Sequence, residues 1–260
     1  MTEEKKQQRD NVRFLVRTMY SFQKNRIQTS NRLQKRKDGE NQAIPEGQES
    51  QLDALSVLDM VDILDNAKDL EKKLNKKIEQ AVKGIPIYEE FLKTVKGCGP
   101  VMSAVLISEI DIEEATTRSK IWQYAGLNPA MVRGKKRKGD ETVLTDTMIR
   151  GDKLTAGFVA PYNTFLKSKL LGVLADCFIK SKSPYTDYYY NMKERLKNSS
   201  NEYKEGKKWS EETDAHINNA AKRYMVKMFL GDLYEKWREL EGLEVRKGYQ
   251  EEYLGHVHRA

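Results

Sequence analysis

Apolar side chains recur at intervals of three and four residues along most of this chain, which is the pattern of amphipathic helices. The first such stretch covers residues 9–37 and carries a strongly basic face opposite its apolar face. That basic face is either an ordinary solvated surface or an arm that lies along a phosphate backbone. The pattern itself predicts a long N-terminal helix.

A second stretch, from Val57 to Ala81, keeps this spacing over about three heptads, with Glu and Lys residues on its flanks. It predicts a coiled coil or an antiparallel helical hairpin. Because a short hairpin does not cover the whole apolar stripe, we expect a homodimer contact along Val57 to Val82. Three aspartates on its polar face are predicted to be solvated rather than to bind metal: Asp59, Asp62 and Asp65.

Further helices are predicted over Phe165–Lys180, from Pro184 onward, and over Ala215–Arg238. A short helix before Gly126 precedes them. No segment alternates as a half-buried strand does, and no internal repeat is evident. The helix after Pro184 contains interleaved tyrosines that either stack on nucleic-acid bases or belong to the core, and we favour the core.

A two-glycine turn separates a helix over residues 88–93 from an apolar helix that begins at Pro100. The order Val95-Lys96-Gly97-Cys98-Gly99 is typical of a helix-hairpin-helix. Glycine reaches positive φ without strain, so we expect backbone N–H groups around Gly97 and Gly99 to face a phosphate. The alternative is a tight connection between two packed helices.

The composition adds a basic character. The 260 residues carry a formal net charge of +7, with 38% hydrophobic and 33% charged residues, which suits long, partly solvated helices and a polyanionic partner. Cys98 and Cys177 show neither pairing nor metal-ligand spacing. No signal-peptide core and no run of about 18 apolar residues occurs. We therefore expect a cytoplasmic protein without membrane span, metal or cofactor.

The densest basic segment runs from Arg133 to Gly139. Glycines near its ends and the absence of apolar periodicity predict a mobile loop. Nearly unbroken charge is hard to explain by packing, so we expect phosphate contacts there, with a solvated loop as the alternative. The predicted nucleic-acid-binding residues are Lys96, Gly97, Gly99, Arg133, Lys135, Lys136, Arg137 and Lys138.

These patterns divide the chain into four regions. Residues 1–50 form a basic helix and a flexible link, residues 51–87 a coiled-coil dimerisation helix, residues 88–245 a helical domain, and residues 246–260 a polar tail. The predicted fold class is all-α, with long N-terminal helices and a coiled coil followed by a helical domain that contains a helix-hairpin-helix.

Two linked motifs resemble a known family. The turn Lys96-Gly97-Cys98-Gly99-Pro100 is followed at residues 124–129 by Tyr-Ala-Gly-Leu-Asn-Pro. This order is similar to the C-terminal domain of the insertion-sequence transposases of family 110/116/902, and the resemblance extends over about residues 88–240. It implies a helix-hairpin-helix transposase domain, with transposition and DNA recombination on mobile genetic elements as its context.

The chain departs from that family at both of the family's catalytic groups. In the family a RuvC-like nuclease domain with an acidic active site precedes a coiled coil, whereas here nothing before residue 52 predicts a sheet. The family's catalytic serine follows the Gly-Leu-x-Pro signature, where this chain has Ala130-Met131-Val132-Arg133. Arginine stays protonated and is no nucleophile, and no activating base stands out near Thr142 or Thr145. We therefore assign no catalytic residue.

Together these features predict a non-catalytic protein that binds DNA, such as branched or recombination-intermediate DNA, through phosphate contacts. RNA is the nearest variant, since recombinases similar to this family work with a guide RNA. Two alternatives remain open: a transposase or recombinase subunit that takes its acidic site from another chain, and an adaptor whose basic surface meets an acidic protein. An adaptor would not bind nucleic acid at moderate salt.

Overall fold

A computed structural model describes residues 2–37, 54–204 and 206–246 of the protein. The chain divides into two compact units, Met1–Lys83 and Gly84–Ala260. The predicted flexible link at residues 38–50 lies outside the described residues, and so does the polar tail from residue 247 onward.

The first unit contains two long helices, α1 (Glu3–Lys37) and α2 (Ala54–Val82), which pack against each other. Their presence confirms the two helices expected from the apolar spacing, although α1 begins earlier than predicted. The guanidinium of Arg26 donates to the carboxylate of Glu71, with Nε 2.6 Å from Oε1, and so joins the two helices. The buried apolar residues of α1 share one face: Val12, Val16 and Met19.

The second unit is mostly helical, which confirms the predicted class. Its helices are α3 (Pro86–Glu90), α4 (Pro100–Glu109), α5 (Arg118–Tyr124), α6 (Thr164–Lys169), α7 (Ala175–Ser181), α8 (Thr186–Lys197) and α9 (Asp214–Leu240). One π-helical turn, Leu170–Leu174, joins α6 to α7 without a break. None of the described helices combines the length and apolar character of a membrane span.

Two antiparallel hairpins interrupt this helical unit. Strand β1 (Met131–Lys138) pairs with β2 (Glu141–Arg150), and β3 (Glu202–Lys204) pairs with β4 (Lys207–Lys208). A loop was predicted at the first of these two places, over Arg133 to Gly139. Strand β1 is exposed at six of its eight positions, so it lacks the apolar alternation by which a half-buried strand is identified in a sequence.

The core of the second unit forms where α4, α7 and α9 carry their apolar residues. Every residue from Met102 to Glu109 is buried. The ring of Phe229 lies 5.2 Å from that of Phe178 and 5.3 Å from that of Tyr185, between centroids, in edge-on contacts that aromatic rings prefer. Tyr185 therefore belongs to the core, as predicted, whereas Tyr190 is 57% exposed.

Arg238, near the end of α9, is buried and fixes the segment between α4 and α5. Its Nη1 donates to the carbonyl oxygens of Ile112 and Ala115 at 2.9 and 3.1 Å, and its Nε donates to that of Glu244. Three carbonyls on one guanidinium satisfy donors and acceptors that would otherwise be costly to bury. The segment that leads into α5 is thereby held against α9.

Candidate nucleic-acid interface

The basic segment predicted to be a mobile loop forms most of strand β1, so that prediction is wrong. A two-residue turn, Gly139-Asp140, leads into β2, and the register pairs Lys138 with Glu141. Gly139 has φ of +64°, which glycine adopts without strain and which two-residue hairpin turns require at this place. Ladder hydrogen bonds thus order the segment that carries the charges.

A sequence signal for this hairpin does exist. A Gly-Asp pair followed by a run rich in β-branched residues, here Thr142 to Ile149, is typical of a two-residue hairpin turn and its second strand. The preceding strand does not show a strand pattern, because five of its eight residues are basic. High charge density indicates only that a segment is exposed to solvent. An ordered ribbon and a mobile loop are both exposed, so charge density does not distinguish them.

The basic side chains of β1 are all exposed, and none of them forms an ion pair within the described part of the chain. They are Arg133, Lys135, Lys136, Arg137 and Lys138. Lys135 and Arg137 share one face of the ribbon and Lys136 and Lys138 the other, because side chains alternate along a strand. Asp140, Glu141 and Asp146 are the acidic residues of the hairpin, so its net charge remains positive. Both faces of the ribbon therefore present cations that form no ion pair among the described residues.

The segment after β2 holds the hairpin in place. The N–H of Val159 donates to the carbonyl of Lys135 at 2.7 Å. The ring of Phe158 occupies the position where a side chain at Gly134 would lie, since a Cβ there would be 2.5 Å from the ring. The hydroxyl of Thr145 donates to the carbonyl of Gly134 at 2.8 Å. This hydroxyl serves the hairpin, and no base in the described residues is seen to activate it.

The turn before α4 differs from its prediction at one of its two glycines. Gly97 has φ of +92°, as expected, but Gly99 has φ of −72°, which any residue adopts. A Cβ on Gly97 would lie 2.6 Å from Ser181 Oγ and 3.0 Å from Phe178 Cδ1 of α7. Gly97 is therefore required for close packing on α7, and the preceding α-helix ends at Glu90 with a 3₁₀ turn after it.

Gly99 and Lys96 remain accessible. Gly99 is the N-cap of α4 and makes no capping hydrogen bond through a side chain, and a Cβ added to it would have no atom within 4 Å. Lys96 is exposed. The first backbone bond of α4 runs from Ser103 N–H to the Gly99 carbonyl at 3.0 Å, so the helix start keeps the polarity that favours an anion.

Cys98, between the two glycines, is buried and has no nucleophilic character. Burial raises the pKa of its thiol to about 12, and its Sγ lies 3.6 Å from the hydroxyl oxygen of Ser103. The thiolate is the reactive form of cysteine. The turn therefore presents backbone groups and Lys96 to solvent, while Cys98 remains a buried, protonated thiol.

The two sequence motifs meet at Asn163, a residue that no sequence pattern identified. Its side-chain amide donates to the carboxylate of Glu109 at 2.6 Å and to the hydroxyl of Tyr124 at 2.9 Å. Glu109 ends α4 and is buried, while Tyr124 opens the Tyr-Ala-Gly-Leu-Asn-Pro segment. A Cβ on Gly126, with φ of +67°, would lie 2.6 Å from the ring of Tyr162. The second motif is thus a packing surface for residues 162–163.

A further group of cations surrounds Asp152, and no sequence motif predicted it. Its members are Arg150, Lys167, Arg223 and Lys227. They come from the end of β2, from α6 and from α9, and only the tertiary structure brings them together. Among the described residues, no group of three or more His, Cys, Asp or Glu side chains is arranged to hold a metal ion.

Comparison with known proteins identifies a family that matches part of the chain. The model of the transposase IS116/IS110/IS902 family matches residues 89–145, less than a quarter of the chain, which include α4, α5, β1 and the start of β2. No curated protein and no solved structure matches. The resemblance that the two motifs predicted is confirmed for residues 89–145, and this segment of the chain is similar to transposases of the IS116/IS110/IS902 family.

Proposed function

We propose that this protein binds DNA through phosphate contacts, without catalysing a reaction on it, and that the β1–β2 hairpin is its principal contact. The observation that carries the proposal is the row of exposed, ion-pair-free cations on β1 within the described residues. Such side chains bind polyanions by releasing condensed counterions. The match to a transposase family over the same segment supports a nucleic acid as that polyanion.

The shape of the hairpin also supports this proposal. A two-stranded ribbon fits the major groove of duplex DNA. Its backbone is held by Val159 and Phe158, so little conformational entropy is lost when the charges bind. Contacts of this kind set the position of a protein on the duplex and do not read sequence. We therefore expect similar affinity for unrelated sequences of the same nucleic-acid form.

The start of α4 is proposed as a second phosphate contact, in the manner of a helix-hairpin-helix. Lys96 and the backbone around Gly99 would carry it, and Gly97 would set the turn by its packing on α7. Of the residues predicted to touch phosphate, Gly97 is the one whose surroundings assign it a packing role.

A binding screen tests the function itself. Gel shifts at about 0.1 M salt with duplex, single-stranded and four-way DNA and with structured RNA should show affinity for DNA that falls steeply as salt rises. Preference for four-way DNA would support recombination intermediates as the ligand. Binding to structured RNA alone would exclude the DNA proposal, and the absence of any shift would favour an acidic protein partner.

We also propose that α2 contributes a homodimer contact. In the part of α2 whose side chains are described, Ile63 is 55% and Leu70 37% exposed, which leaves apolar surface uncovered by α1. Sedimentation equilibrium at micromolar concentration should show a dimer that Ile63→Glu with Leu70→Glu dissociates. A stable monomer of the parent protein would contradict the proposal.

A further inference from the structure

Four cations and one carboxylate form a compact group at the junction of β2, α6 and α9. We call Arg150, Lys167, Arg223, Lys227 and Asp152 the Asp152 cluster. Asp152 is 3% exposed and accepts two hydrogen bonds from Arg150, at Nε and Nη2, each of 2.9 Å. The ammonium of Lys167 donates to the backbone carbonyl of Asp152. These contacts fix the centre of the cluster.

Arg223 and Lys227 add two positive charges to the cluster, although the carboxylate of Asp152 is already paired with Arg150. Arg223 Nη1 lies 3.8 Å from Asp152 Oδ2, beyond hydrogen-bond distance, and its Nε is buried without a partner in the described structure. Lys227 lies one turn further along α9, on the same face. Like charges at this spacing repel, so nothing in the stability of the helix explains the pair.

Two aromatic rings position the lysines of the cluster. The ammonium of Lys167 lies 4.3 Å from the centroid of Tyr162, and that of Lys227 lies 5.3 Å from the centroid of Trp122. The Trp122 indole N–H donates to the carbonyl of Lys227 at 3.0 Å, which fixes the ring against α9. The two ammonium groups are therefore placed by the fold rather than left to sample the solvent.

The electrostatic balance of the cluster favours an anion. Among the described residues, Asp152 is the only carboxylate within ion-pair distance of any of the four cations. Burial and the charge of Arg223 lower the pKa of both Lys167 and Lys227. Although burial alone would raise the pKa of Asp152, the hydrogen bonds and charge of Arg150 lower it, so Asp152 stays ionised. An additional anion would relieve the mutual repulsion of the cations.

We propose that the Asp152 cluster is a binding site for a phosphate group, with Arg223 and Lys227 as its principal ligands and Arg150 as a third. Guanidinium and ammonium groups are the usual protein donors to phosphate oxygens. Arg150 and Arg223 keep 46% and 39% of their side-chain surface exposed, so a phosphate can reach them from solvent. The phosphate belongs either to a nucleic-acid strand or to a free anion, and both sources share this chemistry.

Titration calorimetry with inorganic phosphate at constant ionic strength tests the site directly. We expect the parent protein to bind phosphate, and Arg223→Gln and Lys227→Gln each to raise the Kd roughly tenfold, the effect of losing one charge-assisted contact. Lys236→Gln is the matched control, because it removes the same charge from the same helix about 14 Å or more away at ~1.5 Å per residue. Arg223→Lys should recover part of the affinity.

The outcomes separate this site from the proposed function. A short single-stranded oligonucleotide is titrated in parallel. If Arg223→Gln binds the oligonucleotide more weakly than the parent protein does, the site holds a nucleic-acid phosphate. If Arg223→Gln binds inorganic phosphate more weakly but the oligonucleotide equally well, the site holds a free anion. If Arg223→Gln and Lys227→Gln fold, as judged by melting, and bind phosphate as tightly as Lys236→Gln does, the proposal is overturned. Phosphate binding without any nucleic-acid binding would leave the site intact and reject the proposed function alone.

Discussion

We expect that replacing Lys135, Lys136, Arg137 and Lys138 by alanine makes DNA affinity less sensitive to salt. The slope of log affinity against log salt concentration should become shallower by up to about four units. Each of these cations is exposed and lacks an ion pair in the described structure, so each can displace about one counterion. Near ~0.1 M salt the affinity should fall by roughly two to three orders of magnitude, to a similar extent for every sequence. Gel shifts over a salt series measure both quantities.

The fold should tolerate these four replacements. The side chains are on the surface of the hairpin, and Lys136, which lies 4.8 Å from the centroid of Phe158, is the one with a ring contact. Surface substitutions of this kind change stability by about 0.5 kcal/mol or less each. A melting temperature far below that of the parent protein would show that the strand depends on these side chains.

A matched control separates local contacts from net charge. Four exposed lysines on α2 permit the same charge change in the other unit: Lys72, Lys73, Lys76 and Lys77. If the hairpin holds phosphates, replacing these four by alanine should change the salt slope much less. Equal flattening by both variants would mean that DNA responds to total charge, and the hairpin would lose its special role.

Gly97→Ala is expected to destabilise the protein by about 2–4 kcal/mol, whereas Gly99→Ala should change its stability by about 0.5 kcal/mol. At position 97 the new methyl group meets Ser181 Oγ, Phe178 and the Cys177 carbonyl, and the backbone has positive φ. At position 99 the backbone is extended and the space is open. Urea denaturation of the two variants beside the parent measures the difference.

The tolerance at position 99 makes it a probe of binding. Gly99→Val should fold normally, and it should weaken DNA binding with little change in salt slope if the start of α4 approaches a phosphate, because the side chain blocks that approach. Parent-like binding by a folded Gly99→Val would leave the turn as a helix connection only. Equal stability losses in Gly97→Ala and Gly99→Ala would contradict the packing assigned to Gly97.

Helical elements were predictable because their cause is local. Apolar residues at intervals of three and four form one face of a helix, and this holds whatever that face packs against. The helices expected over residues 165–180 and 215–238 are present as α6–α7 and α9. The hairpin was not predicted because its strands bury little, so they carry no apolar alternation. Its Gly-Asp turn was the local feature that could have identified it.

Gly97 and Gly99 also show what the local sequence predicts and what depends on the tertiary structure. The sequence Lys96-Gly97-Cys98-Gly99-Pro100 determines that a turn precedes an apolar helix, and it identified the family that matches residues 89–145. The same sequence does not show which position requires glycine, because of a positive φ and close neighbouring atoms, and which position would also accept another residue. That distinction depends on α7, about 80 residues further along the chain, whose end lies against Gly97.

By itself, the sequence determined the helical class, the density of basic charge and the family resemblance, because periodicity, composition and motif order are properties of neighbouring residues. Only the tertiary structure decided that the basic segment is an ordered ribbon supported by Phe158 and Val159. It alone assembled the Asp152 cluster, because Arg150 and Arg223 come from β2 and α9 and meet at one carboxylate that no local pattern links to both. Long-range packing determines which charges share a site, and a local pattern determines only that they are present.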